Sequence, residues 1–311
     1  MKKIIVHNPC NEHTRYFRDY NLFWDELTDV LKTKYIVTEN RDYEFANQDR
    51  FKVNLNNQTS CDDCFLLMEC EYVIEFEETG EFYIMSVSDD LSHAILNESN
   101  NPLLKKVLVS QFDREKIESH VSQPNMEKYS PWIYFPCTID DLEVFYEKRK
   151  TINEFIDKMY FRGTSISDRP IVTHVSNELL NGYTPIGSPT TYFDDLINYK
   201  VGLSVAGRGE LCYRDIEYMG LGIPMIRFEY KSELNPELIP NYHYISVDRP
   251  DDLQIDRLGD KTHANLIEQR FLEIKDDYEF LNFISKNARD YYLNFLSKKN
   301  RVKHTLNILN I

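Results

Sequence analysis

With 311 residues, 42% of them hydrophobic, the chain can bury one large core or two of about 150 residues each. A net charge of -15 excludes general nucleic-acid binding, because no basic patch stands out to overcome repulsion by a phosphate backbone. The start MKKIIVHNPC enters a strand without a hydrophobic leader, no apolar run is long enough to cross a bilayer, and six cysteines are too few for a disulfide scaffold. A soluble cytoplasmic protein with reduced thiols is expected.

The elements alternate between strand and helix, which predicts parallel sheets covered on both faces. Residues 3–7 form a first strand. A helix over 14–32 follows, with Phe17, Tyr20, Phe23, Trp24, Leu27, Val30 and Leu31 on one apolar face. Residues 35–38 are a second strand, and 40–64 a polar excursion. Strands over 72–76 and 82–87 enclose a glutamate-rich turn, in which Glu75, Glu77, Glu78 and Glu81 are expected to be solvated. Strands over 106–110 and 132–135 complete a first half. A charged helix over 139–158 reads as the connector, with Leu142, Phe145, Ile152, Phe155 and Ile156 along one stripe. The second half restarts with a strand over 159–162, a helix over 170–180 and a strand over 200–205. Residues 242–247 form a further strand, and 263–309 are helical. This organisation predicts domains at 1–150 and 151–311, two α/β lobes with a ligand cleft between them.

The stretch 199–230, YKVGLSVAGRGELCYRDIEYMGLGIPMIRFEY, holds the strongest chemical signal. A buried strand over 201–205 runs into a turn eased by Gly207 and Gly209. A helix over 211–221 follows, Gly222 stops it, and 223–228 is the next strand. Exposed amides at a helix N-terminus, with Arg208 and Arg214 beside them, suit a diphosphate without a metal. An ordinary strand-helix-strand unit with surface arginines fits the same pattern. Glu210 and Glu217, seven apart, would share one helical face if the helix starts early, and one of them could accept hydrogen bonds from a ribose. They fit equally as solvated glutamates or partners of the arginines. Tyr213 and Tyr244 suit base stacking or packing.

Four pieces resemble glycosyltransferase family 90, which includes protein O-glucosyltransferases, capsule-associated xylosyltransferases and lipopolysaccharide-modifying enzymes. They are Tyr160-Phe161-Arg162-Gly163-Thr164 with Arg169 after it; the turn and helix over 207–222, with Arg214 on the family's helix arginine; NYHYISVDRPDDL at 241–253; and ISKNARDY at 284–291. Together they span roughly 159–296. The resemblance implies an α/β GT-B-like fold, with two Rossmann-like lobes, a cleft between them and a C-terminal helical region. It also implies a nucleotide-sugar donor held by the second lobe, inversion at the sugar carbon and no bound metal or other cofactor. Arg162, Gly163, Thr164, Arg169, Gly207, Arg208, Gly209, Glu210, Tyr213, Arg214 and Glu217 are the candidate donor residues. The arginines would stabilise charge growing on the diphosphate, or else form ordinary salt bridges.

An inverting transfer needs a general base on the acceptor side. The strand over 82–87 runs into Ser88-Asp89-Asp90-Leu91-Ser92-His93, and family 90 enzymes resemble this in carrying an aspartate just after a first-lobe strand. Asp89 is the first choice and Asp90 the second, although the family's following proline is missing; either could instead cap the next helix. His13 and His93 are weaker alternatives. Cys61 and Cys64 with Cys70 form half of a zinc pattern and lack a second close pair, so a reduced thiol cluster is the default. The reading is a glycosyltransferase moving a sugar from a UDP-sugar or similar donor to a hydroxyl of a glycan or related acceptor. The rivals are a non-catalytic glycan- or nucleotide-binding protein on the same fold, and another nucleotide-using α/β enzyme such as an epimerase. The latter is weakened because His7-Asn8-Pro9-Cys10-Asn11 has no glycine-rich fingerprint.

Overall fold

The computed structural model describes residues 1–7, 17–40, 71–87, 100–134, 142–162, 170–181, 189–206, 210–250 and 261–311. The chain divides into two compact units, the first comprising Met1–Thr138, Ser232–Pro236 and Lys299–Ile311, the second Ile139–Lys231 and Glu237–Lys298.

In the first unit β1 (Lys3–His7), α1 (Phe17–Lys32) and β2 (Ile36–Asn40) are followed by β3 (Glu71–Phe76), β4 (Phe82–Ser86) and β5 (Leu104–Val109). Two short helices, α2 (Arg114–Glu118) and α3 (Gln123–Met126), lead to β6 (Tyr129–Pro131). The sheet order is β2-β1-β3-β4-β5-β6. It is mixed rather than purely parallel as expected, because β3 runs antiparallel to both neighbours. The turn between β3 and β4 is too short for a crossover: Gly80, at φ 68°, closes it with a hydrogen bond from its N–H to Phe76 O at 2.8 Å. The pleat sends Tyr72 and Ile74 into a core with Phe23, Trp24 and Leu27 of α1, and Val73 into a second core with Ile84, Val107 and Phe112. Glu75, on the Val73 face, is buried rather than solvated, and its Oε2 lies 3.1 Å from His7 Nε2.

The strand expected at 132–135 is instead β6, three residues earlier. Trp132 still donates its N–H to Val109 O at 3.0 Å, and its indole donates to Thr305 Oγ1 of the last helix, α10 (Arg301–Leu309), at 3.0 Å. Val302, Leu306 and Leu309 of α10 pack into the α1 core, so the chain's last helix belongs to the first unit. The units therefore divide the chain differently from a cut at 150/151.

The second unit begins with α4 (Leu142–Lys150), which is far shorter than the helix expected over 139–158. Buried Arg149, in its last turn, donates through Nη1 to Ile197 O at 2.5 Å and Tyr199 O at 2.8 Å, with Phe155 against its guanidinium. Burial pulls the Arg149 pKa down to about 9. The chain then enters β7 (Ile156–Tyr160), and α5 (Pro170–His174), α6 (Pro189–Leu196), β8 (Tyr199–Leu203), α7 (Tyr213–Gly220), β9 (Met225–Phe228) and β10 (Ile245–Val247) follow. Two long helices, α8 (Lys261–Ile274) and α9 (Tyr278–Tyr291), complete the unit with a π-helical turn over Tyr292–Leu296. The four strands are all parallel, in the order β10-β9-β8-β7. Met159, Val201, Leu203, Ile226 and Ile245 form the sheet's part of one core with Ile267 and Phe271 of α8 and Leu281 and Ile284 of α9. Among the described residues, no helix is long and apolar enough to cross a membrane.

Candidate functional site

The helix α7 starts and stops where local chemistry permits. Cys212 is extended at φ -122° and ψ 157°, and Asp215 Oδ2 accepts its N–H at 2.8 Å, which satisfies one of the amides that a helix start leaves open. At the other end Gly222, at φ 60°, takes the left-handed conformation that lets Ile223 N–H reach Tyr218 O at 2.9 Å. Close packing brings α7 onto β8. A Cβ on Gly202 would lie 2.5 Å from the Tyr218 ring, whose hydroxyl donates to Tyr160 O at 3.0 Å. Because the helix begins at Tyr213, Glu210 lies before it, and the shared helical face expected for Glu210 and Glu217 does not form.

On one flank of α7 the buried charges are closely matched. Arg227 of β9 binds Asp215 Oδ2 through Nη1 at 2.7 Å, Glu210 O through Nη2 at 3.0 Å and Phe228 O through Nε at 3.0 Å, and it lies 3.3 Å from the Tyr230 ring centroid. Asp215 also accepts a hydrogen bond from Ser204. Burial works against the Arg227 charge, but Asp215, Tyr230 and Glu210 overcome it and raise its pKa well above the ordinary value. Glu210, 1% exposed, accepts from Arg249 Nη1 at 2.6 Å. Ser204, Ala206, Glu210, Arg227, Phe228 and Arg249 line a small depression, open to solvent, at the C-terminal ends of β8, β9 and β10.

The opposite flank is held differently. Arg214 is buried, with its guanidinium carbon 4.3 Å from the Phe161 ring centroid, and it donates through Nη2 to Arg162 O at 2.6 Å. Its Nε has no hydrogen-bond partner among the described residues, and no carboxylate there approaches within ion-pair distance. Burial opposes its charge, but Tyr218, Tyr192, Cys212 and Glu217 raise its pKa above the usual arginine value. Arg162, also buried, has Asp195 at 3.6 Å, a carboxylate that is 63% exposed and therefore well screened. Glu217 accepts a hydrogen bond from Tyr192 of α6 at 2.8 Å. Burial pushes the Glu217 pKa up, against the Tyr192 hydrogen bond and the Arg214 charge that hold it down. Buried Arg214 thus stands in the first turn of α7 without a direct carboxylate partner among the described residues. That is the electrostatic form of an anion site.

The structure brings the Arg214 side chain to the backbone carbonyl of Arg162 and sets Glu217 one helical turn from Arg214. Glu210 is placed apart from them, in the depression with Arg249, and Tyr213 is half-buried at the first helical position. Tyr244 is 1% exposed and packs edge-on against Tyr230, so it serves the core. Gly163, Thr164, Arg169, Gly207, Arg208, Gly209, Asp89 and Asp90 lie outside the described residues, as do His13, His93, Cys61, Cys64 and Cys70. Among the described residues no group of three or more His, Cys, Asp or Glu gathers as a metal cage. Sequence reasoning passed over Asp215, Tyr192, Arg227 and Arg249. Arg227 carried a usable signal, since a charge inside the apolar strand IPMIRF must find a buried partner.

No protein-family model matches the chain, and no curated protein matches its sequence. Solved structures do. A glycosyltransferase from Rickettsia africae ESF-5 superimposes with a TM-score of 0.50 at 14% identity, over 96% of this chain and 82% of that one. WaaG, a glycosyltransferase involved in lipopolysaccharide biosynthesis, gives 0.43 at 11% identity over 96% and 85%. TarM gives 0.40 at 14% identity, over 70% of this chain and 45% of that one. The last two superimpose too loosely to add to the assignment. The first shows the fold: an α/β, GT-B-like chain of two units, each built on its own sheet.

Proposed function

We propose that the protein is a glycosyltransferase that moves a sugar from a nucleotide diphosphate donor, a UDP-sugar in the first instance, to a hydroxyl of a glycan or related acceptor. The observation that carries this reading is Arg214, a buried guanidinium fixed in place by Arg162 O and Phe161 with an N–H still unmatched among the described residues. A preorganised cation of this kind, with Arg162 and the α7 amides beside it, stabilises the charge that grows on a departing diphosphate. Cationic side chains can do so without a metal, and this supports the metal-independent form of the reaction. The family 90 motifs support inversion, with Asp89 or Asp90 beyond β4 as base.

The test measures melting temperature against UDP-, GDP- and ADP-sugars with and without EDTA, followed by transfer or hydrolysis of any donor that binds. A shift that survives EDTA, lost in Arg214→Ala, is expected. Asp89→Asn should keep the shift and lose turnover. No shift with any donor overturns the reading, and binding without turnover by the unmodified protein leaves a nucleotide-binding protein in its place.

A further inference from the structure

The Arg214 flank holds a feature that donor binding alone does not require, a buried carboxyl with a dedicated hydroxyl donor. Glu217 sits one helical turn beyond Arg214 on α7, so the two side chains share a face. Its Oε2 takes the Tyr192 hydroxyl at 2.8 Å from α6, while Arg214 directs Nη2 away from it, to Arg162 O. Glu217 is therefore the carboxylate that balances the Arg214 charge through space, without a direct ion pair within 4 Å. An anion bound by Arg214 would lie close to that carboxylate and be repelled by it.

We propose that Glu217 is a proton-linked counterion of this anion site: it balances Arg214 as a carboxylate in the absence of ligand, and takes up a proton from solvent when a diphosphate engages Arg214. The proposal rests on the donor reading above and adds its regulation. Tyr192 can keep its hydrogen bond to the neutral acid, so protonation leaves no orphaned partner. The other groups around Glu217 fit this role. On α7 itself, Asp215 is committed to Arg227 of β9 at 2.7 Å, and Tyr218 donates to Tyr160 O of β7. From α9, Arg289 binds Gly220 O and Glu143 of α4. Tyr160 and Arg162 complete the surroundings from the β7 side.

The sign follows from linkage. Burial raises the Glu217 pKa, with Arg214 opposing; an anion that offsets Arg214 removes part of that opposition and raises the pKa further. In the window between the two values the complex binds more protons than the ligand-free protein. Affinity is then greatest at low pH and falls as pH rises through the window, by at most about tenfold per pH unit.

Isothermal titration with UDP-glucose, GDP-mannose and ADP-glucose between pH 5.5 and 8, in two buffers of different ionisation enthalpy, tests this. These donors have no phosphate group titrating in that range. For whichever binds, we expect proton uptake and an affinity that falls with pH. Glu217→Gln should abolish this uptake and bind more tightly at pH 8. Tyr192→Phe should keep the uptake and move its window to higher pH. Binding without proton uptake, or a pH slope unchanged in Glu217→Gln, overturns the proposal while leaving the donor reading intact. If none of the three binds at any pH, both fall.

Discussion

The two flanks of α7 carry similar residues and treat them differently. On the Asp215 side, Arg227 is held by one carboxylate and two carbonyls, and Arg249 and Glu210 pair beside it. On the Arg214 side, a guanidinium that is also buried makes one hydrogen bond among the described residues, to a carbonyl, and keeps its Nε without a partner there. A buried charge without a matching partner is costly, so a closely matched arginine reads as architecture and an under-matched one as a place for a ligand. Burial alone does not make the distinction, since Arg227 and Arg214 are both buried.

The sharpest way to break the comparison is to remove the acid of the matched side. Asp215→Ala strands Arg227 in the core and should cost about 3–5 kcal/mol, read by denaturant unfolding. On the other side Arg214→Ala should cost far less stability and instead weaken donor binding by about 1.5–3 kcal/mol, roughly ten- to a hundredfold by titration. Equal losses of stability in the two variants would erase the difference between the flanks. Gly222→Ala strains the left-handed turn that ends α7 and should cost about 1 kcal/mol of stability, with donor affinity unchanged because the helix's amino end is untouched. The exposed Arg114–Glu233 pair, with side chains 52% and 41% exposed, marks the low end: Glu233→Gln should change stability by about 0.5 kcal/mol or less, and less still at high salt.

Much of the architecture is legible in the residues. The strands at 3–7, 72–76 and 82–87, the stop at Gly222 and the helical periodicity from 263 onward are local patterns of apolar spacing and turn chemistry, and the structure places elements there. The failures share one cause. Ile152, Phe155 and Ile156 continue a helical stripe on paper, yet Arg149 reaches Ile197 O and Tyr199 O, nearly fifty residues away, and the helix ends at Lys150. Glu75 reads as part of a charged turn, but a strand's pleat turns it inward toward His7.

For the candidate site, sequence alone pointed to a helix start with Arg208 and Arg214 beside it, because glycines and arginine spacing act over a few residues, and Arg162 entered only through the family resemblance. Which arginines keep unmatched hydrogen-bond capacity was decided only by the tertiary structure. Arg227 and Asp215 meet because the helix α7 packs against β9, the strand that follows it, while Arg214 meets a backbone carbonyl fifty-two residues away instead of a carboxylate. The reach of a side chain is a few ångströms in space and bears no relation to distance along the chain, so the matching of charges appears only once the chain has folded.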